Sequence, residues 1–227
     1  MSTIVEVNNL RFQYDDGTEA LKGVNFILAE NETVAFLGAN GSGKTTFALH
    51  LNGLLRGSGD LQIDGLAMND ANLREIRRRV GLVLQDSDNQ LFMPTVLEDV
   101  AFGPLAAGVP TGEAVSRAKN ALEKVGMAHK AGKAPYHLSA GEKKRVAIAG
   151  ILAGNAKLLI LDEPTTFLDP PGQRALAELL ATLPQAKILI THDVPFAARL
   201  TEQAVFFQNG AIEARGKLGE IVQRFDW

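Results

Sequence analysis

The chain contains no cysteine. Disulfides, thiolate-bound metals and cysteine nucleophiles are therefore excluded, and the composition suits a reducing compartment. Long apolar runs are missing as well. Those present, such as Leu158–Leu161 and Ala204–Phe207, are strand-sized, whereas a membrane-spanning helix needs roughly 20 residues. Neither sign of charge dominates: 23 Lys and Arg stand against 26 Asp and Glu, a formal net charge of -3. Overall electrostatics thus give no reason to expect a nucleic-acid partner. Met1–Glu6 has no basic segment leading into an apolar one, and no secretory signal peptide is expected. Internal repeats and low-complexity tracts are also lacking.

What is present is the balance of an ordinary globular protein, 46% hydrophobic and 22% charged over 227 residues, enough for one sizeable core. Short apolar strands are expected at Thr33–Leu37, Val80–Leu84, Leu158–Leu161 and Ile188–Ile190. They alternate with helical patterns at Lys44–Leu54, Glu113–Val125, Glu142–Ala153 and Gln173–Thr182, which points to a largely parallel sheet covered on both faces. The beginning differs. Segments Ile4–Val7, Leu10–Tyr14, Val24–Leu28 and Leu61–Ile63 suggest an antiparallel layer beside that core. Between Ser87 and Ser139 strands disappear and helix formers dominate, so a helical subdomain is expected there. The tail Gly216–Trp227, with Leu218, Ile221, Val222 and Phe225 on one stripe, reads as a short amphipathic helix packed on its own domain.

The chemistry begins at Gly38-Ala39-Asn40-Gly41-Ser42-Gly43-Lys44-Thr45, which matches Gly-x-x-x-x-Gly-Lys-Ser/Thr between a strand and a helix. Glycines let successive N–H groups curl toward phosphate oxygens, and the helix N-terminus adds partial positive charge. Lys44 would bridge the β- and γ-phosphates, with the Thr45 hydroxyl on Mg²⁺. Leu158–Leu161 then delivers Asp162 and Glu163 to a strand's C-terminal edge, where open α/β sheets bind ligands. Asp162 would hold Mg²⁺, while Glu163, on the opposite side of the strand, would activate the attacking water. A third strand runs into Thr191-His192-Asp193, placing His192 to sense a γ-phosphate. A P-loop kinase or GTPase shares the first motif but has no need of His192 or of Leu138–Glu142.

These motifs resemble the ATP-binding-cassette (ABC) ATPases from about Tyr14 to His192. The resemblance implies an α/β P-loop NTPase core with a mixed sheet, an N-terminal antiparallel β layer and an inserted helical subdomain at about 87–150, all within one domain spanning 1–227. Leu138-Ser139-Ala140-Gly141-Glu142 is similar to the family signature. Ser139, Gly141 and Glu142 would then face nucleotide bound by the other subunit of a head-to-tail dimer, a homodimer or a heterodimer with a related ATPase. Ser139-x-x-Glu142 is also a helix capping box. By the same resemblance Tyr14 stacks on adenine, Gly38 to Thr46 bind ATP, and Thr45, Gln85 and Asp162 serve Mg²⁺. Gln85 couples the site to the helical subdomain, and Asp169 communicates across the dimer. Three positions depart from the family pattern: Ala140 replaces a glycine, Glu142 a glutamine and Phe167 a small residue.

The stretch Gln85–Pro104, together with Lys143-Lys144-Arg145-Val146-Ala147-Ile148-Ala149-Gly150, resembles ATPases of energy-coupling-factor importers of cobalt, nickel or vitamins. The likeness implies a transmembrane coupling protein and a substrate-capture subunit, with this chain peripheral on the cytoplasmic face of a prokaryotic membrane. Asp86, Asp88, Glu98 and Asp99 would meet arginines of the coupling protein in a groove. Another ABC transporter class, or a regulatory ABC ATPase, is the alternative reading.

Overall fold

A computed structural model gives the fold and describes residues 2–85 and 90–227. Two sheets organise it. The first has the order β2-β1-β4-β5 and is antiparallel, built from β1 (Thr3–Gln13), β2 (Glu19–Ala29), β4 (Ser58–Ile63) and β5 (Leu66–Ala67). The two β segments read from the sequence on either side of Asn8-Asn9 are one strand. The register shifts between Val7 and Leu10, where Asn9 takes φ +51, a left-handed bulge that asparagine tolerates.

The second sheet has the order β10-β9-β3-β8-β7-β6. Strands β3 (Thr33–Leu37), β6 (Val80–Val83), β7 (Leu158–Asp162), β8 (Ala186–Ile190) and β9 (Gln203–Gln208) run parallel, and β10 (Ala211–Lys217) closes the edge antiparallel. Every residue of β7 and β8 is buried, which is why Leu158–Leu161 and Ile188–Ile190 read as apolar runs rather than as alternation.

Helix α1 (Lys44–Leu51) lies between the two sheets. Phe47 on α1 packs with Phe26, Phe36 and Phe207 at centroid distances of 5.6, 5.7 and 5.6 Å. The helix stops three residues short of Leu54 because Gly53, at φ +70, turns back to donate to the His50 carbonyl. Helix α2 (Leu73–Arg79), not anticipated from sequence, leads into β6.

The helical subdomain contains α3 (Val96–Ala106), α4 (Thr111–Lys124) and, directly after Ser139, α5 (Ala140–Ala153). Val100, Ala118, Leu122 and Val146 form their shared interior. That interior continues without a break into Leu159 and Leu161 of β7 and into Leu176 and Leu180 of α6 (Pro170–Thr182). Helix α6 begins earlier than the pattern suggested because Asp169 caps it and Pro170 fits the first helical position. After the short helix α7 (Val194–Ala197), the tail forms α8 (Leu218–Phe225). It packs on its own domain as expected, with Phe225 stacked on Phe206 at 3.9 Å.

Candidate nucleotide site

The parallel strands β3, β7 and β8 end on one edge, and their loops gather the expected residues into a cleft of about 410 Å³. In the loop after β3, Gly38, Gly41 and Gly43 have φ of +129, +79 and +107. A side chain at Gly38 would strike the Phe207 carbonyl at 2.1 Å, so glycine is required there by contact as well as conformation. Gly41 faces open space, leaving its backbone free to approach a ligand.

Lys44 is folded back over this loop. Its ammonium donates to the Gly38 and Ala39 carbonyls and, at 3.3 Å, to Ser42 Oγ. Burial lowers its pKa, partly offset by the charges of Glu163 and Asp162. A cation so placed gains by exchanging carbonyls for phosphate oxygens. Thr45 Oγ1 donates to Asp162 Oδ2 at 2.8 Å. The Asp162 carboxyl is raised above the usual range by burial, the Thr45 bond opposing the shift.

Glu163 reaches the cleft by a route that strand alternation does not supply. Strand β7 ends at Asp162, and Glu163 turns out of it with a left-handed φ of +45, its N–H bonded to the Ile190 carbonyl at 2.8 Å. Both acids therefore line one cleft rather than opposite faces. Glu163 Oε2 is buried without an aligned hydrogen-bond donor, although His192 Nδ1 stands 2.8 Å away. Such an orphaned acceptor fits a water molecule to be activated. His192 meets Glu163, a pairing not anticipated from the sequence.

Tyr14 stands at the mouth of the cleft, its hydroxyl 3.0 Å from Thr46 Oγ1 and its ring edge-on to Phe12. Asn40 and Gln85 also line the cleft, Gln85 two residues beyond the end of β6 rather than at it. The donor set suits Mg²⁺: Thr45, Asp162 and Gln85 offer a few hard oxygens, with phosphate and water to complete the shell. Among the described residues no cluster of three or more His, Asp or Glu exists to cage a metal without substrate.

The signature lies elsewhere. Ser139 caps α5, accepting from Glu142 N–H, while the Glu142 carboxylate accepts from Ser139 N–H at 2.8 Å. Lys130 pairs with the same carboxylate at 3.1 Å. The Ser139 N–H and then Lys130 hold the Glu142 carboxyl below its usual range, so the acid is already occupied within its own subunit. Ala140 is helical, with no left-handed strain from its methyl group. Ser139, Gly141 and Glu142 do not line the cleft of their own chain. Asp169 is engaged as the α6 cap, accepting from Gly172 N–H at 2.9 Å. Phe167 is 77% exposed at φ +65.

A separate groove between β6, α3 and α5 carries exposed aromatics, Phe92 at 65% and Phe102 at 43%, in edge-to-face contact. Of the two expected acids among the described residues, Glu98 and Asp99, it is Asp99 that lines the groove. Its Oδ2 accepts from Met93 N–H at 2.8 Å, and burial raises its pKa. Thr95 caps α3, accepting from Glu98 N–H and donating its hydroxyl to the Glu98 carboxylate at 2.7 Å, and Asp86 and Asp88 lie outside the described residues. Arg77 and Arg78 line the groove too, so its wall carries both signs of charge.

A glycine loop at a helix N-terminus, a hydroxyl–carboxylate pair for Mg²⁺ and an orphaned carboxylate at the adjacent strand end together define a P-loop nucleoside triphosphatase. The profile of the ABC transporter family matches residues 21–166. A putative ABC transporter ATP-binding protein of Streptomyces coelicolor is 48% identical over 98% of this chain and 86% of its own length. An energy-coupling factor transporter ATP-binding protein, EcfA, of Methanosphaera stadtmanae is 47% identical over 97% of this chain and 82% of its own. Among solved structures, cbiO1 from Clostridium perfringens, part of the ABC transporter complex cbiONQ, superposes with a TM-score of 0.87 at 36% identity, over 100% of this chain and 93% of that one. A post-hydrolysis dimer of the ATP-binding cassette MJ0796 with ADP and Pi gives 0.84 at 30% identity, over 95% and 99%. This chain belongs to the ABC transporter family and is an ATP-binding, ATP-hydrolysing subunit.

Proposed function

We propose that this ATPase powers a membrane importer of the energy-coupling-factor type, for cobalt, nickel or a vitamin. It would work as an ATP-clamped dimer docked on a transmembrane coupling protein at the cytoplasmic face. The carrying observation is the groove rimmed by Phe92 and Phe102, an exposed aromatic surface beside the half-buried Asp99. Exposed patches of this kind mark protein interfaces. Relatives named EcfA and the superposition on cbiO1 support the same branch.

Each site would join two subunits. The cleft presents Lys44, the loop N–H groups and Glu163, while the capped N-terminus of α5 offers donors and a favourable dipole to nucleotide held by a second subunit. Mg²⁺ held by Thr45, Asp162 and Gln85 would neutralise developing phosphate charge. Glu163 takes the proton of the attacking water, His192 stabilises the acid, and Lys44 draws charge from the phosphates. Loss of the γ-phosphate releases the second subunit's α5, and the dimer opens.

The test pairs two variants. Glu163→Gln should abolish steady-state hydrolysis and trap an ATP dimer on sizing; near-normal turnover would refute the catalytic assignment. Phe102→Asp should keep hydrolysis but lose co-purification with an integral membrane protein. A wild-type chain that hydrolyses ATP yet recovers no membrane protein from solubilised membranes would leave a regulatory ABC ATPase as the reading.

A further inference from the structure

Lys144 is enclosed on the face of α5 that also buries Ala147 and Ile148, with only 2% of its surface exposed. An ammonium is held in such a place only where acceptors surround it. Its Nζ donates to the Gln85 carbonyl at 3.1 Å and to the Glu163 carbonyl at 3.3 Å. Those carbonyls belong to the loops following β6 and β7, so one nitrogen joins the helical lobe to two loops of the nucleotide cleft.

Glu163 is also where the backbone turns left-handed, a conformation a non-glycine residue keeps only when its surroundings over-determine it. Lys144 is one of the groups that hold it there. The same helix begins at Ser139, little more than one turn earlier.

We propose that Lys144 is a positioning residue for hydrolysis, holding the backbone of Gln85 and Glu163 so that the Glu163 carboxylate meets the attacking water. This rests on the ATPase reading of the cleft. The helix that meets a second subunit's nucleotide at its N-terminus thereby also grips the catalytic loop of its own site. Movement of α5 at one nucleotide is felt at the other without any change in how ATP is bound.

Lys144→Met removes the bonds to the Gln85 and Glu163 carbonyls while keeping an apolar stem of similar length. Lys144→Gln keeps an N–H donor on a shorter, uncharged side chain. A displaced catalytic group lowers turnover by about 10²-fold, so kcat of the Met variant should fall by that order, with the Gln variant between it and wild type. The KM for ATP should stay within about threefold of wild type, because the phosphate loop is untouched. In a Glu163→Gln background both variants should still form the ATP dimer. Normal kcat in folded Lys144→Met overturns the proposal. So does a parallel loss of kcat and ATP affinity, or failure of both variants to fold, since each marks a purely structural anchor. Absence of hydrolysis in the wild-type chain would strike the ATPase reading instead.

Discussion

Phe167 stands in a backbone conformation with φ +65 and holds its ring 77% out in solvent. A non-glycine residue in the left-handed region costs about 1–3 kcal/mol, while glycine at the same place loses about 0.5–1 kcal/mol more chain freedom on folding. The ring belongs to none of the buried clusters, so Phe167→Gly forfeits little packing in the isolated subunit. The net effect is a gain of up to about 2.5 kcal/mol. At about 2–4 °C per kcal/mol for a chain of this size, the melting temperature should rise by up to about 10 °C. The ATP dimer should respond in the opposite direction. Phe167 follows the end of β7, and its neighbour Leu168 lies 3.4 Å from the point where a side chain on Gly141 would begin. A symmetric pair loses the ring twice. At about 1.5–3 kcal/mol per buried Phe side chain, dimerisation should weaken by at least about 10²-fold. Calorimetry without nucleotide reads the first effect, and sedimentation with ATP in a Glu163→Gln background reads the second. A lowered melting temperature would refute the strain argument, and an unchanged dimer constant would remove Phe167 from the interface.

Two further outcomes follow from the acids. Asp162→Asn keeps an acceptor for Thr45 but removes a charge that burial disfavours. The folded carboxyl titrates above its ordinary 3.8, so its charge reduces stability as pH rises from that value through the folded pKa. The variant should therefore melt higher at pH 8 while losing at least about 10²-fold of Mg²⁺-dependent hydrolysis; a lower melting point would contradict the desolvation argument. Glu142 has the opposite sign. Its carboxyl is depressed below 4.5 by the Ser139 N–H and Lys130, so its contribution is complete above that pH and is lost as pH falls through the folded value. Glu142→Gln, which keeps the capping geometry, should flatten this acid limb and cost about 0.3–1 kcal/mol at neutral pH. Unfolding curves of equal pH dependence would show that the cap and ion pair do not act.

The sequence displays those parts of the site that depend on chain order: the glycine loop, the run ending in Asp162 and Glu163, and the capping box at Ser139. Strand periodicity put Glu163 on the wrong side, because its position comes from one left-handed residue and not from continued alternation. His192 was placed correctly after β8, but its approach to Glu163 is a meeting of two loops remote in the chain. Lys144 left one sign, a lysine on the same helical face as Ala147 and Ile148, and only the tertiary packing shows what it reaches. The groove acids read as equivalent along the chain. Local hydrogen bonding distinguishes the two described ones, turning Glu98 to the Thr95 hydroxyl and Asp99 onto the groove wall.

The uninterrupted interior linking α3, α4 and α5 to β7 and α6 bears on how the protein unfolds. Because Val146, Ile148, Leu159 and Leu161 share one cluster, α5 cannot loosen without exposing the underside of the parallel sheet. The lobe therefore belongs to the same cooperative folding unit as the nucleotide-binding core. Sequence drift in the lobe is thereby tied to drift in β7 and α6, and a lobe grafted from a distant relative would have to bring its matching sheet residues with it.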